Sequence, residues 1–334
     1  MAMATATAEA ETAAIAAPDR LPANRDLNLT MKAQAITNAF SVDVEDYFHV
    51  SAYAGVIQRS EWNGLPSRVA RNNQRLLSLL DEVGVKGTFF ILGWVAEHYP
   101  DVVREIASAG HEVACHGLTH DLVYRQSRET FLEETRRAKN LIEDVAGTAV
   151  TGYRAASFSI TRASLWALDC LSELGFEYDS SIFPVRHDRY GIPAAPRYPF
   201  RYEGESGSTL VEFPMPCVKF GGWRMPVGGG GYFRIYPYAL TRALLKRIND
   251  KEQRPFMFYS HPWEVDPDQP MFDAGRLSNI RHRTNLDKAE SRLRRLFSDF
   301  RFAPARDVLA QQEIGSVKRN DLSALAGAAV ASEA

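Results

Sequence analysis

Residues 111–120 read HEVACHGLTH, a stretch that predicts a short buried strand, His111 to Cys115, running into a turn that carries His116 and His120. If the backbone after Cys115 coils for one turn, positions i and i+4 project from one face and both imidazoles reach a single ion. Neutral imidazole is the commonest protein ligand for zinc and its neighbours. Two histidines alone do not make a site; carboxylates and other polar groups must arrive from elsewhere.

Working outward, strand and helix patterns alternate. Ala39 to Val44 reads as a buried strand ending at the acidic cluster Asp43, Glu45 and Asp46. A helix with Val69, Leu76 and Leu80 inward stops at Gly84, and strand 85–92 follows. Pro100 opens the next helix, which Gly110 ends. Thr130 with Glu133 reads as a capping box for a helix running to Gly147. Strand 149–153, a helix capped by Thr161 and a strand from Phe176 continue the rhythm. Between 179 and 236 it fails, and only 209–213 looks strand-like, so a long loop-built excursion is expected. Gly228 to Gly231 precede no Lys-Ser or Lys-Thr pair and read as a flexible loop. A helix over 237–248, a strand over 256–260, a helix over 286–297 and a strand near 300–302 complete the pattern.

This α/β order implies a parallel sheet, either closed as a barrel or open and doubly wound. Both place active residues at the carboxyl ends of strands. Five strand ends present Asp43, His116, Arg154, Asp179 and His261. Together they supply the carboxylates, imidazoles and guanidinium that a hydrolytic metal site uses.

With 39 basic and 41 acidic residues spread over 334, the net charge of −2 gives no footprint for nucleic acid or an acidic membrane. The cluster Arg292, Arg294, Arg295 reads as a solvated helix face. Cys115, Cys170 and Cys217 show no CxxC pairing, which fits a reducing compartment. No secretion signal and no 18-residue apolar run is visible, so a cytoplasmic protein is expected, with an encounter at the inner membrane face left open. The expected organisation is an Ala-rich tail over 1–35, within which Met31 is an alternative start, a catalytic domain over 36–314 and a loose tail over 315–334.

The stretches SVDVEDYF, HGLTH, GYRAASFS, YDSSIFP and FYSHPWE resemble, in order, the five motifs of the polysaccharide deacetylase superfamily (NodB homology domain, carbohydrate esterase family 4). FSVDVEDYFHVSAY with GGGYFR and SHPWE is similar to its branch associated with exopolysaccharide and exosortase gene clusters. The resemblance spans residues 39 to 302. It implies a distorted (β/α) barrel of about seven parallel strands with a loop-rich insertion, a divalent metal, usually zinc, and an N-acetylated glycan substrate, with exopolysaccharide assembly machinery as a partner. The family pattern has adjacent aspartates, base then ligand, whereas Val44 intervenes here. In an extended strand Asp43 and Glu45 share a face, which makes Glu45 the preferred third ligand beside His116 and His120, with Asp46 as competitor. Ile182 stands where many relatives have Trp, at the acyl-binding wall.

By this resemblance Asp43 is the base, Arg154 keeps it ionised, His261 protonates the departing amine, and Asp179 orients His261 or holds its charge. Trp223, Tyr232, Phe233 and Trp263 are candidates to stack on sugar at the mouth of the site, or core anchors. His49, His98, His187 and His282 read as surface or structural residues. Two other readings share the pattern: an allantoinase-like small-molecule amidase, and a catalytically silent glycan-binding or assembly protein.

Overall fold

The structure is a computed structural model and describes residues 36–205 and 207–324. Its centre is strand β1 (Thr37–Val44), which is buried along nearly its whole length and carries hydrogen-bonded neighbours on both sides. Strands covered on both faces read as continuous apolar runs, as AFSVDV does. The two faces nonetheless differ. Phe40, Val42 and Val44 join the core under the helices, while Ala39 joins a second apolar cluster with Phe90, Ala114, Tyr178 and Met257. Asp43 lies on the Ala39 face by alternation.

From β1 the chain passes through α1 (Val69–Glu82), β2 (Thr88–Ile91), α2 (Gly93–His98), α3 (Pro100–Ser108) and β3 (Glu112–Cys115). Then come α4 (Arg128–Ala146), β4 (Gly152–Tyr153), α5 (Trp166–Glu173) and β5 (Tyr178–Asp179). Pro100 occupies the first turn of α3, where a missing N–H costs nothing. In place of the expected Thr130–Glu133 capping box, α4 has a simple N-cap one turn earlier: Ser127 Oγ accepts from Thr130 N at 3.1 Å, and Gly147 ends the helix at φ 67°.

The second half is more regular than its sequence suggests. It contains β6 (Phe200–Glu203), β7 (Thr209–Glu212), the pair β8 (Cys217–Phe220) and β9 (Trp223–Pro226), and helices α6 (Gly230–Ile235) and α7 (Tyr238–Lys246). Next are β10 (Met257–Ser260), α8 (Arg276–Arg283), α9 (Ala289–Asp299), β11 (Arg301–Ala303), α10 (Ala305–Leu309), β12 (Ser316–Lys318) and α11 (Arg319–Ala324). The expected loop excursion holds two hairpins: β7 is the strand expected over 209–213, while β6, β8 and β9, at four residues each, are too short to show a period. Arg292 is not a solvated cation either, since its guanidinium donates to the carbonyl oxygens of Phe233 and Arg234 at 2.8 Å each.

The main sheet runs β10-β1-β2-β3-β4-β5-β7-β6-β12, and its first seven strands are mutually parallel. No continuous ladder closes it among the described residues. Single hydrogen bonds span the gap instead: Val227 N donates to Pro216 O at 3.1 Å, and Tyr259 N donates to Gly228 O at 2.8 Å. This gives the glycine run a packing role in place of the expected flexible loop. Gly229 sits at φ 128°, and a Cβ there would overlap the Tyr259 carbonyl oxygen. Ala305, Val308 and Leu309 of α10 pack into the inner apolar cluster.

The domain boundary expected at 314 also moves. β12 pairs with β6, Leu322 is fully buried, and Arg319 donates to Asp169 at 2.8 Å, so 316–324 belongs to the folded unit. A three-residue strand has no periodicity to read. The tail expected over 1–35, with its alternative start, and residues 325–334 lie outside the described residues.

Burial holds several histidines neutral. His111 Nδ1 accepts from Gly87 N at 3.1 Å, and burial pulls its pKa down to about 4. The unfolded chain protonates at ~6.5, so this stability is present above that pH and is lost as pH falls towards 4. Glu112 and Asp179, raised by burial, act in the opposite direction. The readout is therefore a difference: His111→Gln, which keeps an acceptor for Gly87, should flatten the fall in urea-unfolding free energy between these pH values by on the order of 1–3 kcal/mol.

Candidate active site

The carboxyl ends of the strands converge on one buried polar cluster. Asp43 ends β1, and Glu45 N donates back to Asp43 O at 3.0 Å. Asp43, Glu45 and His116 are each almost completely buried. Glu45, His116 and His120 each bring one ligand atom to within 4.8 Å of the others. The two histidines meet without the helical turn expected after Cys115. Gly117 at φ 80° and His120 at φ 57° reverse the loop instead, leaving the rings 5.5 Å apart.

His116 Nδ1 lies 2.8 Å from the Arg154 carbonyl oxygen. A carbonyl can only accept, so Nδ1 carries the proton and Nε2 offers its lone pair. Burial pulls the His116 pKa down to about 4, which keeps that lone pair free at neutral pH. Glu45 Oε2 is 2.9 Å from His120 Nε2, yet no hydrogen bond satisfies it. Burial pushes the Glu45 carboxyl up, but His120, His261 and His116 outweigh it and hold the group well below the usual carboxylate range. Two imidazoles and an ionised carboxylate with an orphaned oxygen fit a divalent cation.

Asp46 does not enter this cluster. Its Oδ2 accepts from Ser67 Oγ at 2.6 Å, Arg68 N at 2.7 Å and Val69 N at 3.1 Å. It is spent on the start of α1, on the opposite face of the chain from Glu45.

Arg154 is fully buried and its guanidinium lies 4.1 Å from the Phe90 ring centroid. It donates to Asp43 Oδ1 at 2.6 Å, Ser41 Oγ at 2.9 Å and Ser180 O at 3.2 Å. His261 completes the ring of groups, with Nε2 3.5 Å from Glu45 Oε1 and 3.9 Å from Asp43 Oδ2. Its imidazole stacks on Trp263 at 4.8 Å.

Asp179 is elsewhere. Tyr178 takes the inner face of β5, so the next residue turns towards the helices, where Asp179 Oδ1 accepts from Ser181 Oγ at 2.6 Å. Burial pushes the Asp179 pKa up to about 6, against the hydrogen bonds it shares with Glu212 and Ser181. The carboxylate beside His261 is Glu264, whose Oε2 lies 3.5 Å from Nδ1. Glu264 also accepts from Arg234 Nε at 2.7 Å and Ser260 Oγ at 2.9 Å. Burial raises its pKa, but Arg234 and His261 win and bring it down to about 2. Burial disfavours protonated His261, yet Glu264, Glu45 and Asp43 leave its pKa raised. Glu264 was visible as the last residue of SHPWE, three after His261, a spacing too common to single out unaided.

Ile182 is buried in the core under the helices and forms no wall at this site. Tyr232 bonds Tyr190, Phe233 is core, Trp263 lies beneath His261, and Trp223 is 85% exposed on a hairpin. Of the remaining histidines, His49 and His282 are buried. A groove of about 630 Å³ opens at His120 instead, between Trp62, Tyr124 and Ser157, with Arg59, Arg125 and Arg189 along it.

Residues 64–178 match the polysaccharide deacetylase family model, and residues 180–310 match a domain of unknown function. A peptidoglycan deacetylase of Helicobacter pylori is 27% identical over 157 residues, covering 45% of this chain and 50% of that protein. The chain spans half or less of the length of the first curated relatives it matches. Two solved structures assigned to the polysaccharide deacetylases share the fold. The one from Mycobacterium smegmatis has TM-score 0.54 and 20% identity, covering 94% of this chain and 95% of that one. The one from Pseudomonas aeruginosa has TM-score 0.51 and 14% identity, covering 87% and 90%. His116, His120 and Arg154 fall in the first matched segment, His261 and Glu264 in the second, and Asp43 and Glu45 precede both. The match to the polysaccharide deacetylase family model thus runs through the ion-facing histidines, and the seven parallel strands behind them share their fold with two structures assigned to that family.

Proposed function

We propose that this chain is a metal-dependent hydrolase that removes N-acetyl groups from a polysaccharide or its precursor, in exopolysaccharide biosynthesis. The observation that carries the reading is the convergence of Glu45, His116 and His120 beside the Asp43–Arg154 pair, with His261 facing both. The match of residues 180–310 to a domain of unknown function is compatible with the exopolysaccharide-associated branch. No helix among the described residues is long and apolar enough to cross a membrane.

Glu45, His116 and His120 would hold a divalent ion, zinc by its donor set, and that ion when bound supplies Lewis acidity to the acyl oxygen and the attacking water. Asp43 accepts the proton that water gives up as it attacks the N-acetyl carbon. Arg154 pairs with the Asp43 carboxylate and fixes its Oδ1, leaving Oδ2 for the proton. His261, charged through the influence of Glu264, gives its proton to the departing sugar amine as the C–N bond breaks. The products are acetate and the free amino sugar. Exopolysaccharide assembly machinery is the partner this reading implies.

The test is acetate release from N-acetylated oligosaccharides, with and without chelator, alongside bound-metal content. Glu45→Gln should lose both metal and acetate release, while Asp46→Asn should keep metal. Loss of metal only in Asp46→Asn would overturn the ligand assignment. A protein that binds glycan yet releases no acetate with any metal supplied would overturn the enzyme reading.

A further inference from the structure

The β8–β9 hairpin forms a two-stranded sheet of its own, separate from the main one. Its root is buried through Cys217 and Val218, but Lys219, Phe220, Gly221, Gly222 and Trp223 are all exposed. Phe220 and Trp223 face each other across the turn as register partners, 47% and 85% exposed. Trp62, Trp94 and Trp263 are buried and Trp166 is half-buried, so this exposure is particular to Trp223. An exposed indole at a hairpin tip contributes nothing to the core.

Cations gather around it. The Arg247 guanidinium lies 5.3 Å from the Phe220 ring centroid, and a shallow dish beside the tip is lined by Arg197, Tyr198, Lys219, Gly221, Arg247 and Glu252. Its one carboxylate, Glu252, is engaged by Arg197 and Arg247. Lys219 has no ion-pair partner among the described residues. Arg247 directly follows α7, and Asn249 two residues on bonds Asn38 near the start of β1. The tip therefore sits towards the amino ends of the strands, away from the groove at His120.

We propose that this hairpin is a docking element for an anionic phospholipid surface, with Trp223 and Phe220 entering the interface and Lys219 and Arg247 meeting the phosphates. An indole with its apolar body and N–H suits the headgroup boundary, and basic residues beside it add attraction to anionic lipid. Excess positive charge favours an anionic surface over a neutral one. Docked this way, the protein turns its catalytic groove away from the lipid, towards glycan in the aqueous phase.

The test uses the full chain with vesicles of phosphatidylcholine alone or mixed with phosphatidylglycerol. Sedimentation with the anionic vesicles only, weakened by salt, is expected, with a shift of tryptophan emission to shorter wavelength that Trp223→Ala abolishes. Lys219→Glu and Arg247→Glu should each weaken binding by about fivefold or more. Acetate release from a soluble oligosaccharide should be unchanged in Trp223→Ala. Absence of binding to anionic vesicles, or binding indifferent to Trp223→Ala, overturns the proposal. A Trp223 emission shift driven by protein concentration or by free oligosaccharide, with no response to vesicles, would also overturn it and assign the hairpin to a second copy or to sugar.

Discussion

Arg154→Met abolishes acetate release and lowers stability by about 3–5 kcal/mol, the usual cost of removing one partner from a buried ion pair. The guanidinium is fully buried, and five of its contacts converge on Asp43, Ser41, Ser180 and the Phe90 face. Methionine fills part of the volume but leaves buried Asp43 without its counter-charge. Without that partner the carboxylate is no longer held in place to accept a proton from water. Arg154→Lys should recover part of the stability and little of the activity, because an ammonium cannot span Asp43 and Ser180 as a planar fork does. Urea unfolding and acetate release measured on the same samples check both halves. A stable, active Arg154→Met protein would remove Asp43 from the role of base.

The second large effect is Asp43→Asn. The amide keeps the shape of the side chain and cannot take a proton, so kcat should fall by about a hundred- to ten-thousandfold. Bound metal should stay at its full level, since Glu45, His116 and His120 supply the ligand atoms and Asp43 is engaged by Arg154. This pairing of results separates base from ligand: Glu45→Gln loses metal and activity together, Asp43→Asn activity alone. Because Arg154 is left without its counter-charge, some stability is lost too, and rates must be referred to the folded fraction. Metal loss in Asp43→Asn equal to that in Glu45→Gln would place Asp43 among the ligands.

The first half of this fold is legible in the sequence because long helices such as α4 repeat their apolar positions and strands end in polar residues. Asp43 and Glu45 could be put on one face because the period of a strand is two, and the structure brings both into the cluster. The same rule explains the failure at Asp179: with Tyr178 facing inward, the next carboxyl must face the helices. Motif position carried no information about which face a two-residue strand presents. Glu264 escaped notice because its partners, Arg234 and Ser260, are set by tertiary packing. Between 200 and 226 only β7 is legible as a strand; β6, β8 and β9 are too short to show a period.

The meeting of Gly229 with Tyr259 bears on how the two halves of the chemistry stay in step. Tyr259 stands two residues before His261, on the strand that is locked by parallel pairing to β1 and therefore to Asp43. The missing side chain at 229 sets how near the seam can come to β10, and β10 in turn carries the proton donor. A methyl group at that point would be felt as a changed separation between the group that accepts a proton and the group that returns one.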